Sequence, residues 1–570
     1  MTALLGDGRL GPDQRTDALR RMERERFDIV VIGGGVVGCG AALDAASRGL
    51  SVALVEARDY AAGTSSRSSK LLHGGLRYLE QAQLPLVREA LHERDLMLER
   101  LCPHLARPVP FLIPLERPGA DRAYLGAGVA LYDLLARSQA VPRHRHLTRR
   151  GALRLAPALR PDGLAGGILL HDGQVDDARH TVTLARTAAR HGAVLASSAR
   201  ATGFLRAGER ISGVRVRDLE SAREIDVRGR IVLNAAGVWT DELQALLGGR
   251  GRFRVRASKG VHLVVPRDRI QADAGLLLRT PTSVLFVIPW GWRWLIGTTD
   301  SAWNLDLAHP AATRTDIDYL LEHVNRILRS PLTRDDVTGV FAGLRPLLAG
   351  ETDETSRLSR EHSVASPAPG LVAVAGGKYT TYRIMARDAV DAAVRGMDLT
   401  VAPSCTEELP LIGADGWRGL MNARERMADG GGLHVARIEH LLQRFGSETA
   451  ALLELMQERP ELAEPIDGAE TYLRVEALWA VTHEGALHLD DVLTRRTRIS
   501  IETWDRGLAA AEPAARLMAE ALDWDDADVR REVEHYRARV EAERRSQEEP
   551  SDETADTARL AAPDSRLAAC

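Results

Sequence analysis

The chain has 570 residues, of which 45% are hydrophobic and 27% charged, and its formal net charge is −4 at pH 7. This length exceeds what one hydrophobic core organises, so we expect two or three domains. The charge argues against nucleic acid as a partner and means that an anionic substrate would need a local basic site. The most apolar stretch, 123–136, contains Asp133 and is shorter than the roughly 18 residues of a membrane-spanning helix.

The first 26 residues alternate Gly, Asp and Arg without the basic and then apolar pattern of a signal peptide, so 1–26 is predicted to be a polar extension. The cysteines Cys39, Cys102, Cys405 and Cys570 form no CxxC pair and no metal-ligand spacing. They indicate reduced thiols in a cytoplasmic protein and no metal site.

Residues 27–56 have the pattern of a strand, a glycine-rich turn, a helix and a second strand. Gly33, Gly35 and Gly38 fit the G-x-G-x-x-G spacing, which allows a tight turn, close approach of a pyrophosphate and close packing of helix on strand. Glu56 ends the second strand, where a carboxylate can hold a ribose hydroxyl and would repel the 2′-phosphate of NADP. The whole unit predicts dinucleotide binding.

A segment rich in Ser, Thr and Gly follows at 57–80, where an NAD-binding fold usually continues into another helix. Short hydroxyl donors suit the pyrophosphate and ribityl chain of FAD, although the segment 64–69 alone would also fit a flexible loop. The predicted flavin contacts in this segment are Thr64, Ser65, Ser68, Ser69 and Leu71.

Later strand-like runs alternate with helical stretches, and part of the sheet they form is expected to be antiparallel. We predict an α/β fold in which a Rossmann-like FAD-binding domain with an interleaved mixed-sheet substrate region spans 27–403. Amphipathic helical patterns at about 415–427, 434–457, 468–482 and 506–522 predict a helical C-terminal domain over 404–542. The charged end, 543–570, is short of large apolar residues and is predicted to be disordered.

A series of short motifs runs through residues 27–390. They are IGGGVVGCG (32–40), TSSRSSKLLHGGLRYLE (64–80), VDDARH (175–180), NAAGVWTD (234–241), KGVHLVVP (259–266), VIPW (287–290), IGTTD (296–300), GLRPL (343–347), LSREHSV (358–364) and GGKYTTYR (376–383). In content and order they resemble the FAD-dependent glycerol-3-phosphate dehydrogenase family, among the D-amino-acid-oxidase-like flavoproteins. The resemblance implies hydride transfer from substrate C2 to flavin N5, with electrons passed to a membrane quinone or, in an oxidase branch, to oxygen.

A phosphate-bearing substrate requires cations, and the planar fork of Arg suits a phosphate best. The resemblance selects Arg345 and Arg360 as phosphate ligands, and Lys378 as a ligand of phosphate or flavin. Arg77 and Tyr78 are expected to close the pocket. The segment GGKYTTYR lies near flavin and substrate in the family, which adds Gly376, Gly377 and Thr380 to the predicted flavin contacts.

His262 interrupts an otherwise apolar strand, where an unpaired imidazole would be costly to bury. It is our candidate for the base that takes the C2 hydroxyl proton; the alternatives are a hydroxyl ligand that is not the base, and a satisfied core histidine. Asp176 and Asp177 are expected to cap a helix, since carboxylates would repel a substrate phosphate. FAD attachment is predicted to be noncovalent, with His73 as the residue to suspect otherwise.

Residues 107–150 combine apolar pieces with a basic loop, which fits either an anionic lipid surface or an ordinary core helix followed by a loop. We favour a cytoplasmic homodimer, peripheral on the inner face of the cell membrane, that reduces quinone. A soluble oxidase making hydrogen peroxide is the main alternative. An amine or amino-acid oxidase of the same superfamily would need groups that bind a substrate carboxylate and no phosphate-binding cluster. A flavin-binding scaffold or sensor without turnover would need none of these groups.

Overall fold

The structure is a computed structural model that describes residues 5–80, 83–117, 119–136, 140–248, 254–279, 284–349, 361–562 and 564–567. The side chains of Arg77, Glu80 and Leu567 lie outside this description.

The strands of the described residues are β1 (Arg26–Ile32), β2 (Val52–Val55), β3 (Leu71–Leu72), β4 (Ala106–Leu115), β5 (Arg145–Thr148), β6 (Gly166–Val175), β7 (Val194–Ala196), β8 (Ala199–Ala207), β9 (Arg210–Asp218), β10 (Glu224–Asn234), β11 (Val255–Pro266), β12 (Gly275–Arg279), β13 (Val284–Trp290), β14 (Arg293–Gly297), β15 (Ser301–Trp303), β16 (Gly339–Leu348), β17 (His362–Ala368), β18 (Leu371–Gly376), β19 (Pro465–Ile466) and β20 (Ala469–Leu473).

The α-helices of the same residues are α1 (Pro12–Arg24), α2 (Val36–Ser47), α3 (Arg77–Glu80), α4 (Leu84–Leu96), α5 (Ala120–Leu135), α6 (Arg149–Leu155), α7 (Asp177–Arg190), α8 (Thr240–Ala245), α9 (Arg314–Asn325), α10 (Tyr382–Arg395), α11 (Trp417–Asn422), α12 (Arg424–Gly431), α13 (Val435–Phe445), α14 (Thr449–Glu458), α15 (Arg474–Thr482), α16 (Ile499–Glu502), α17 (Leu508–Leu522), α18 (Asp526–Ser546) and α19 (Asp552–Leu560).

The first sheet has the strand order β17-β18-β10-β1-β2-β7, and β9 joins it beside β10 and carries β8. Strands β18, β10, β1, β2 and β7 are parallel. Ile29, Val30 and Val31 of β1 are all buried, as expected for a parallel strand covered on both faces. Helices α2, α7 and α10 pack together against this sheet, and their small residues permit the close approach.

The second sheet has the order β15-β11-β14-β13-β12-β4-β6-β3, with β16 paired to β11 and β5 paired to β6. Its pairs are antiparallel except for β12 with β4. Groups of strands of the first sheet and of the second sheet alternate along the chain, so each sheet is assembled from several separate segments. The prediction of a Rossmann-like sheet interleaved with a mixed sheet and followed by helices is therefore confirmed.

Helices α11 to α18 form a region with its own buried apolar cluster. The predicted helix over 468–482 begins only at Arg474, since β19 and β20 form a hairpin turning at Gly468, whose φ is +76°. Among the described helices, none combines the length and apolar character that crossing a membrane requires.

The prediction that 543–570 is disordered is wrong for the described residues of that segment. Helix α18 continues to Ser546, α19 follows, and Asp564 and Arg566 are buried. Arg566 donates to the carboxylate of Asp491 at 2.7 Å. Ion pairs with distant parts of the chain thus replace the apolar burial that the composition of this segment lacks, and composition alone does not reveal such partners.

The extension predicted over 1–26 also has structure within its described part. Helix α1 buries Ala18 and Met22 against the apolar cluster of the first sheet. These residues are four apart and form one narrow apolar stripe among charged neighbours, so the average polarity of the segment obscured a packed helix.

The imidazole of His488 joins helix α18 to the turn between β9 and β10, because it lies 3.0 Å from Glu532 Oε1 and 3.1 Å from Glu220 Oε1. Burial and the nearby Arg566 lower its pKa, but hydrogen bonds to the two carboxylates outweigh them and raise the pKa to about 9. A raised pKa in the folded state contributes stability that is complete below about 6.5 and lost as the pH rises through about 9.

We therefore expect His488→Gln to lower the free energy of unfolding at pH 6.5 by at most about 3 kcal/mol, with the difference shrinking towards pH 9.5. Denaturant titrations over a pH series measure this difference. His92→Gln is the control, since His92 pairs with Glu407 at an exposed position. Parallel stability curves for His488→Gln and the unmodified protein would contradict the assignment.

Candidate active site

A cavity of about 1420 Å³ lies between the two sheets. It exceeds the roughly 300–1,000 Å³ of ordinary small-ligand pockets, so it has room for a dinucleotide together with a substrate. Its lining includes these residues predicted from sequence: Gly33, Gly35, Glu56, Thr64, Ser65, Ser68, Ser69, Leu71, Tyr78, His262, Arg345, Gly376, Gly377, Lys378 and Thr380. Gly38 does not line it, Arg360 lies outside the described residues, and the side chain of Arg77 is not described.

The glycine-rich turn between β1 and α2 forms one wall of the cavity. Gly33 has a φ of +110°, and a Cβ there would lie 2.7 Å from the carbonyl oxygen of Ala235. A Cβ on Gly38 would overlap the carbonyl oxygen of Gly33, so this glycine serves the packing of α2 on β1. The N-terminus of α2 faces the same turn and suits an anionic group.

Glu56 is held in place by backbone donors at the end of β2. Its Oε2 accepts from the Gly34 amide at 2.6 Å, and its Oε1 accepts from the Arg58 amide at 2.8 Å. Burial raises the pKa of this carboxyl group, while the two backbone hydrogen bonds partly oppose the shift. Each carboxylate oxygen has a second lone pair, which leaves capacity for a ribose hydroxyl.

Hydroxyl groups of the loop after β2 fix its path along the cavity. Ser65 Oγ accepts from the Val36 amide at 2.9 Å and so ties the loop to the start of α2. Thr64 Oγ1 donates to the Leu344 carbonyl at 2.6 Å on strand β16 of the second sheet. The loop that contains the predicted flavin contacts is thus anchored to helix α2 on one side and to strand β16 on the other.

A buried charge cluster that sequence reasoning missed supports this loop from behind. The carboxylate of Asp177 accepts from Ser68 Oγ at 2.6 Å, from Lys70 Nζ at 2.7 Å and from Arg498 Nη2 at 2.5 Å. Asp176 caps α7 as predicted, accepting from the Arg179 amide. Lys70 directly follows the predicted flavin contacts Ser68 and Ser69. Nothing in the sequence indicated that Arg498, from the C-terminal region, would reach Asp177.

His262 lies on β11 with its ring 2% exposed and stacked on Phe341 at 4.8 Å between centroids. Its Nε2 is 2.9 Å from Ser69 Oγ, while no described residue hydrogen-bonds to Nδ1. Burial, followed by the charges of Arg345 and Lys70, holds its pKa well below the usual value, so the ring is neutral at pH 7. A neutral imidazole retains the lone pair that a proton acceptor needs.

Arg345 projects from β16 beside β11, on the register Ser258 to Arg345. Its Nη2 donates to Thr298 Oγ1 at 3.1 Å, and its Nη1 donates to Ser258 Oγ at 3.3 Å. Asp300 is more distant, with 3.7 Å between its Oδ1 and Arg345 Nη1. The Arg345 side chain lines the cavity, where its guanidinium can bind an anion.

Lys378 faces the turn that precedes α3. Its Nζ lies 3.7 Å from the centroid of the Tyr78 ring, a cation–π contact. The Gly74 amide of the same turn donates to the Tyr132 hydroxyl at 2.7 Å, which donates in turn to Asp172. Lys378, Tyr78 and the buried tyrosine therefore hold one end of the cavity in a defined shape.

The wall formed by α5 is apolar and continues to the surface. Tyr124, Leu125 and Leu131 line the cavity, and Tyr124 is 59% exposed. Leu134, on the same helix, is 78% exposed. Four arginines in the segment that follows are exposed: Arg143, Arg145, Arg149 and Arg150.

The cavity fits FAD by the character of its walls. Its glycine turn leaves space that a Cβ would fill, a helix begins there, and a carboxylate ends the second strand. These are the groups that a pyrophosphate and a ribose require. The hydroxyl-rich loop lies along the same cavity and offers short donors and acceptors to the ribityl chain.

Comparison with known proteins relates both parts of the chain to flavoproteins. The family described as FAD dependent oxidoreductase matches residues 28–390, and the C-terminal domain of alpha-glycerophosphate oxidase matches residues 404–529. The chain is 58% identical to "Glycerol-3-phosphate dehydrogenase" of Mycobacterium leprae, covering 98% of this chain and 95% of that one. It is 35% identical to "Glycerol-3-phosphate dehydrogenase, mitochondrial" of Homo sapiens, covering 92% and 75%.

A solved structure shares the same architecture. It is the glycerol-3-phosphate dehydrogenase from Bacillus halodurans complexed with FAD, which is 28% identical with a TM-score of 0.78 and covers 93% of this chain and 98% of that chain.

Proposed function

This chain belongs to the FAD-dependent glycerol-3-phosphate dehydrogenase family, and we propose that it oxidises sn-glycerol 3-phosphate to dihydroxyacetone phosphate and passes the electrons to a membrane quinone. The relatives covering nearly the whole chain at 58% and 59% identity are named glycerol-3-phosphate dehydrogenases. The oxidase alternative is not favoured for that reason.

The observation that carries the substrate assignment is that Arg345 and His262 line one cavity with the glycine turn. FAD bound against the glycine turn and Glu56 would supply the acceptor for the hydride that leaves C2. Arg345 binds the phosphate dianion through its guanidinium, and Lys378 adds a second positive charge to the lining of the same cavity. His262 takes the C2 hydroxyl proton on a ring nitrogen, while Ser69 fixes the orientation of the ring.

The remaining predicted contacts complete this proposal. Arg360 is proposed as a second phosphate ligand and Arg77 as a closing residue, both on the family resemblance. The chain is further proposed to act as a homodimer on the inner face of the cell membrane.

The proposed electron acceptor depends on the wall formed by α5. Tyr124 and Leu131 offer an apolar path from the cavity to the surface, and Leu134 extends it into solvent. The exposed arginines of the following segment suit the phosphates of anionic lipids. A lipid-soluble quinone would approach the cavity from the bilayer along this apolar wall.

The function is tested by adding glycerol 3-phosphate anaerobically to the holoenzyme bound to anionic vesicles. We expect the flavin absorbance to bleach and then to recover on addition of a vesicle-soluble quinone, faster than in air. If the flavin absorbance recovered in air as fast as with quinone, with stoichiometric hydrogen peroxide, the protein would be an oxidase. Absence of bleaching would show that glycerol 3-phosphate is not the substrate.

The lipid contact has its own pair of variants. Leu134→Glu places a charge on the exposed apolar face of α5, whereas Leu399→Glu changes a leucine that is 40% exposed elsewhere. We expect only the first to reduce vesicle flotation and quinone reduction, with bleaching by substrate unchanged in both. Equal flotation of the two variants would show that α5 does not contact the membrane.

FAD attachment is proposed to be noncovalent, since nothing in the family resemblance requires a link. Acid precipitation of the holoenzyme should release the yellow colour into the supernatant. Flavin retained by the pellet would contradict the proposal, and its loss from the pellet in His73→Ala would identify the linked residue. His73 is the candidate because it lines the cavity and its amide is fixed by Thr380 Oγ1 at 3.2 Å.

A further inference from the structure

A second, smaller cavity of about 90 Å³ lies behind the loop after β2, between the sheets and the C-terminal helices. Ser66 and Arg67 form one wall, and α18 and α19 form another. Arg67 lines the active-site cavity as well, so the two cavities share this residue.

Among the described residues around this cavity, the buried side-chain polar atoms that lack a hydrogen-bond partner are all donors. Within the described residues they are Arg506 Nη1, Arg539 Nε, Gln547 Nε2 and Arg559 Nη1. Arg559 is only 5% exposed, Arg506 and Gln547 are each only 8% exposed, and the side chain of Arg539 is 12% exposed. Leaving a buried donor unsatisfied costs about 1–3 kcal/mol, so four in one place indicate a missing acceptor.

Positive charge also exceeds negative charge there. Arg539 pairs with Asp490, and the distance from Arg506 to Glu543 is a long 3.5 Å. Neither Arg67 nor Arg559 forms an ion pair with any carboxylate in the part of the chain that the structure describes.

The lowered pKa values of two arginines agree with this excess of positive charge. Burial, together with four neighbouring arginines, lowers the pKa of Arg67 to about 9. Burial and the nearby Arg539 likewise lower the pKa of Arg559 to about 10. His309 does not add to the charge, because burial and Arg58 hold its pKa well below the usual value.

We propose that this cavity binds a small tetrahedral oxyanion of the inorganic phosphate class. A cavity needs roughly 10–15 Å³ to hold one water, so about 90 Å³ accepts a group of several oxygens but no nucleotide. Guanidinium groups match the geometry of such an oxyanion with paired hydrogen bonds. Water could satisfy single donors, but it would leave the charges of Arg67 and Arg559 uncompensated.

The bound anion would join three separate parts of the chain. Arg67 belongs to the loop of the active site, while Arg539 and Arg559 lie on α18 and α19. The anion therefore acts as a clamp that holds the C-terminal helices against the loop containing Thr64 and Ser65. This conclusion does not depend on which substrate the larger cavity accepts.

The test is calorimetric titration of the holoenzyme with inorganic phosphate at constant ionic strength, in an Arg345→Ala background that weakens phosphate binding in the active site. We expect one phosphate per chain and a melting temperature that phosphate raises and chloride does not. Arg559→Gln should weaken this binding about 10- to 150-fold. Arg545→Gln removes the same charge from an exposed position on α18 and should leave the binding unchanged.

Gln547→Glu keeps the test decisive if Arg559→Gln fails to fold. Gln547 Oε1 accepts from Arg506 Nη2 at 3.3 Å, so the new carboxylate would lie among the unsatisfied donors and replace the anion. We expect this variant to melt in phosphate-free buffer at or above the temperature of the parent and to lose the response to phosphate. Unchanged phosphate binding in Gln547→Glu, or no binding in the parent, would overturn the proposal.

Discussion

Replacing His262 by Gln is expected to slow flavin reduction by glycerol 3-phosphate about 10²- to 10⁴-fold, the range for loss of a general base. The glutamine amide reaches the place of Nε2, so the hydrogen bond to Ser69 and the fold can be kept. An amide cannot take up the hydroxyl proton near neutral pH. Anaerobic stopped-flow absorbance of the flavin measures the rate.

The pH dependence separates a base from a packing residue. Because the pKa of His262 lies well below 6.5, protonation should abolish the reaction only on the acid side of that value. The reduction rate of the unmodified protein should therefore be flat at neutral pH and fall as the pH decreases. His262→Gln should be slow throughout and lack this acid-side decline.

The matched control is His104→Gln, which removes another buried histidine. His104 is 4% exposed and does not line the large cavity. Its loss should reduce stability and leave flavin reduction unchanged in the folded protein. Near-normal reduction by well-folded His262→Gln would exclude the base role and direct attention to Lys378 or a bound water.

Arg345→Ala is expected to raise the KM for glycerol 3-phosphate by about 10- to 150-fold, with FAD content unchanged. Loss of a hydrogen bond to a charged group costs about 1.5–3 kcal/mol, which corresponds to that range. The carboxylate of Asp300 lines the same cavity 3.7 Å from Arg345 Nη1, so its repulsion of the phosphate would increase in the variant. Steady-state kinetics with a quinone acceptor give the KM.

Two controls make the Arg345 result specific. Arg256→Ala removes an exposed arginine from the neighbouring strand β11 and should leave the KM unchanged. Glycerol, which lacks the phosphate, should bind the Arg345→Ala variant as poorly as it binds the parent. If Arg345→Ala retains the KM of the parent, the phosphate lies elsewhere in the cavity.

The dinucleotide turn could be predicted from the sequence because its determinants are local. Gly33, Gly35 and Glu56 lie within one strand–turn–helix–strand unit. The glycines allow the tight turn and the close approach of a pyrophosphate, and the carboxylate can bind a ribose hydroxyl. The strands were predictable for a similar reason, since buried parallel strands are continuous apolar runs. His262 stood out because a polar residue in such a run needs a partner.

The parts that could not be predicted depend on contacts between distant segments. Arg498 reaches Asp177 across 321 positions of the chain, and Asp564 pairs with Arg58 across 506. Neither pair has a local signal, because each arginine resembles a surface residue in its own neighbourhood. The order of the C-terminal tail was missed for the same reason: its stability comes from partners, not from its own composition.

The strand order of the first sheet has a consequence for synthesis on the ribosome. Its central strands come from 26–32, 52–55 and 224–234, and β18 completes the parallel set only at Gly376. At about 5–20 residues per second, roughly 17–70 s separate the completion of β1 from the completion of β18. β10 covers the open edge of β1 only once residue 234 is made, and β18 covers the edge of β10 later still. The binding of FAD is therefore a late step, and chaperone protection is most needed before it.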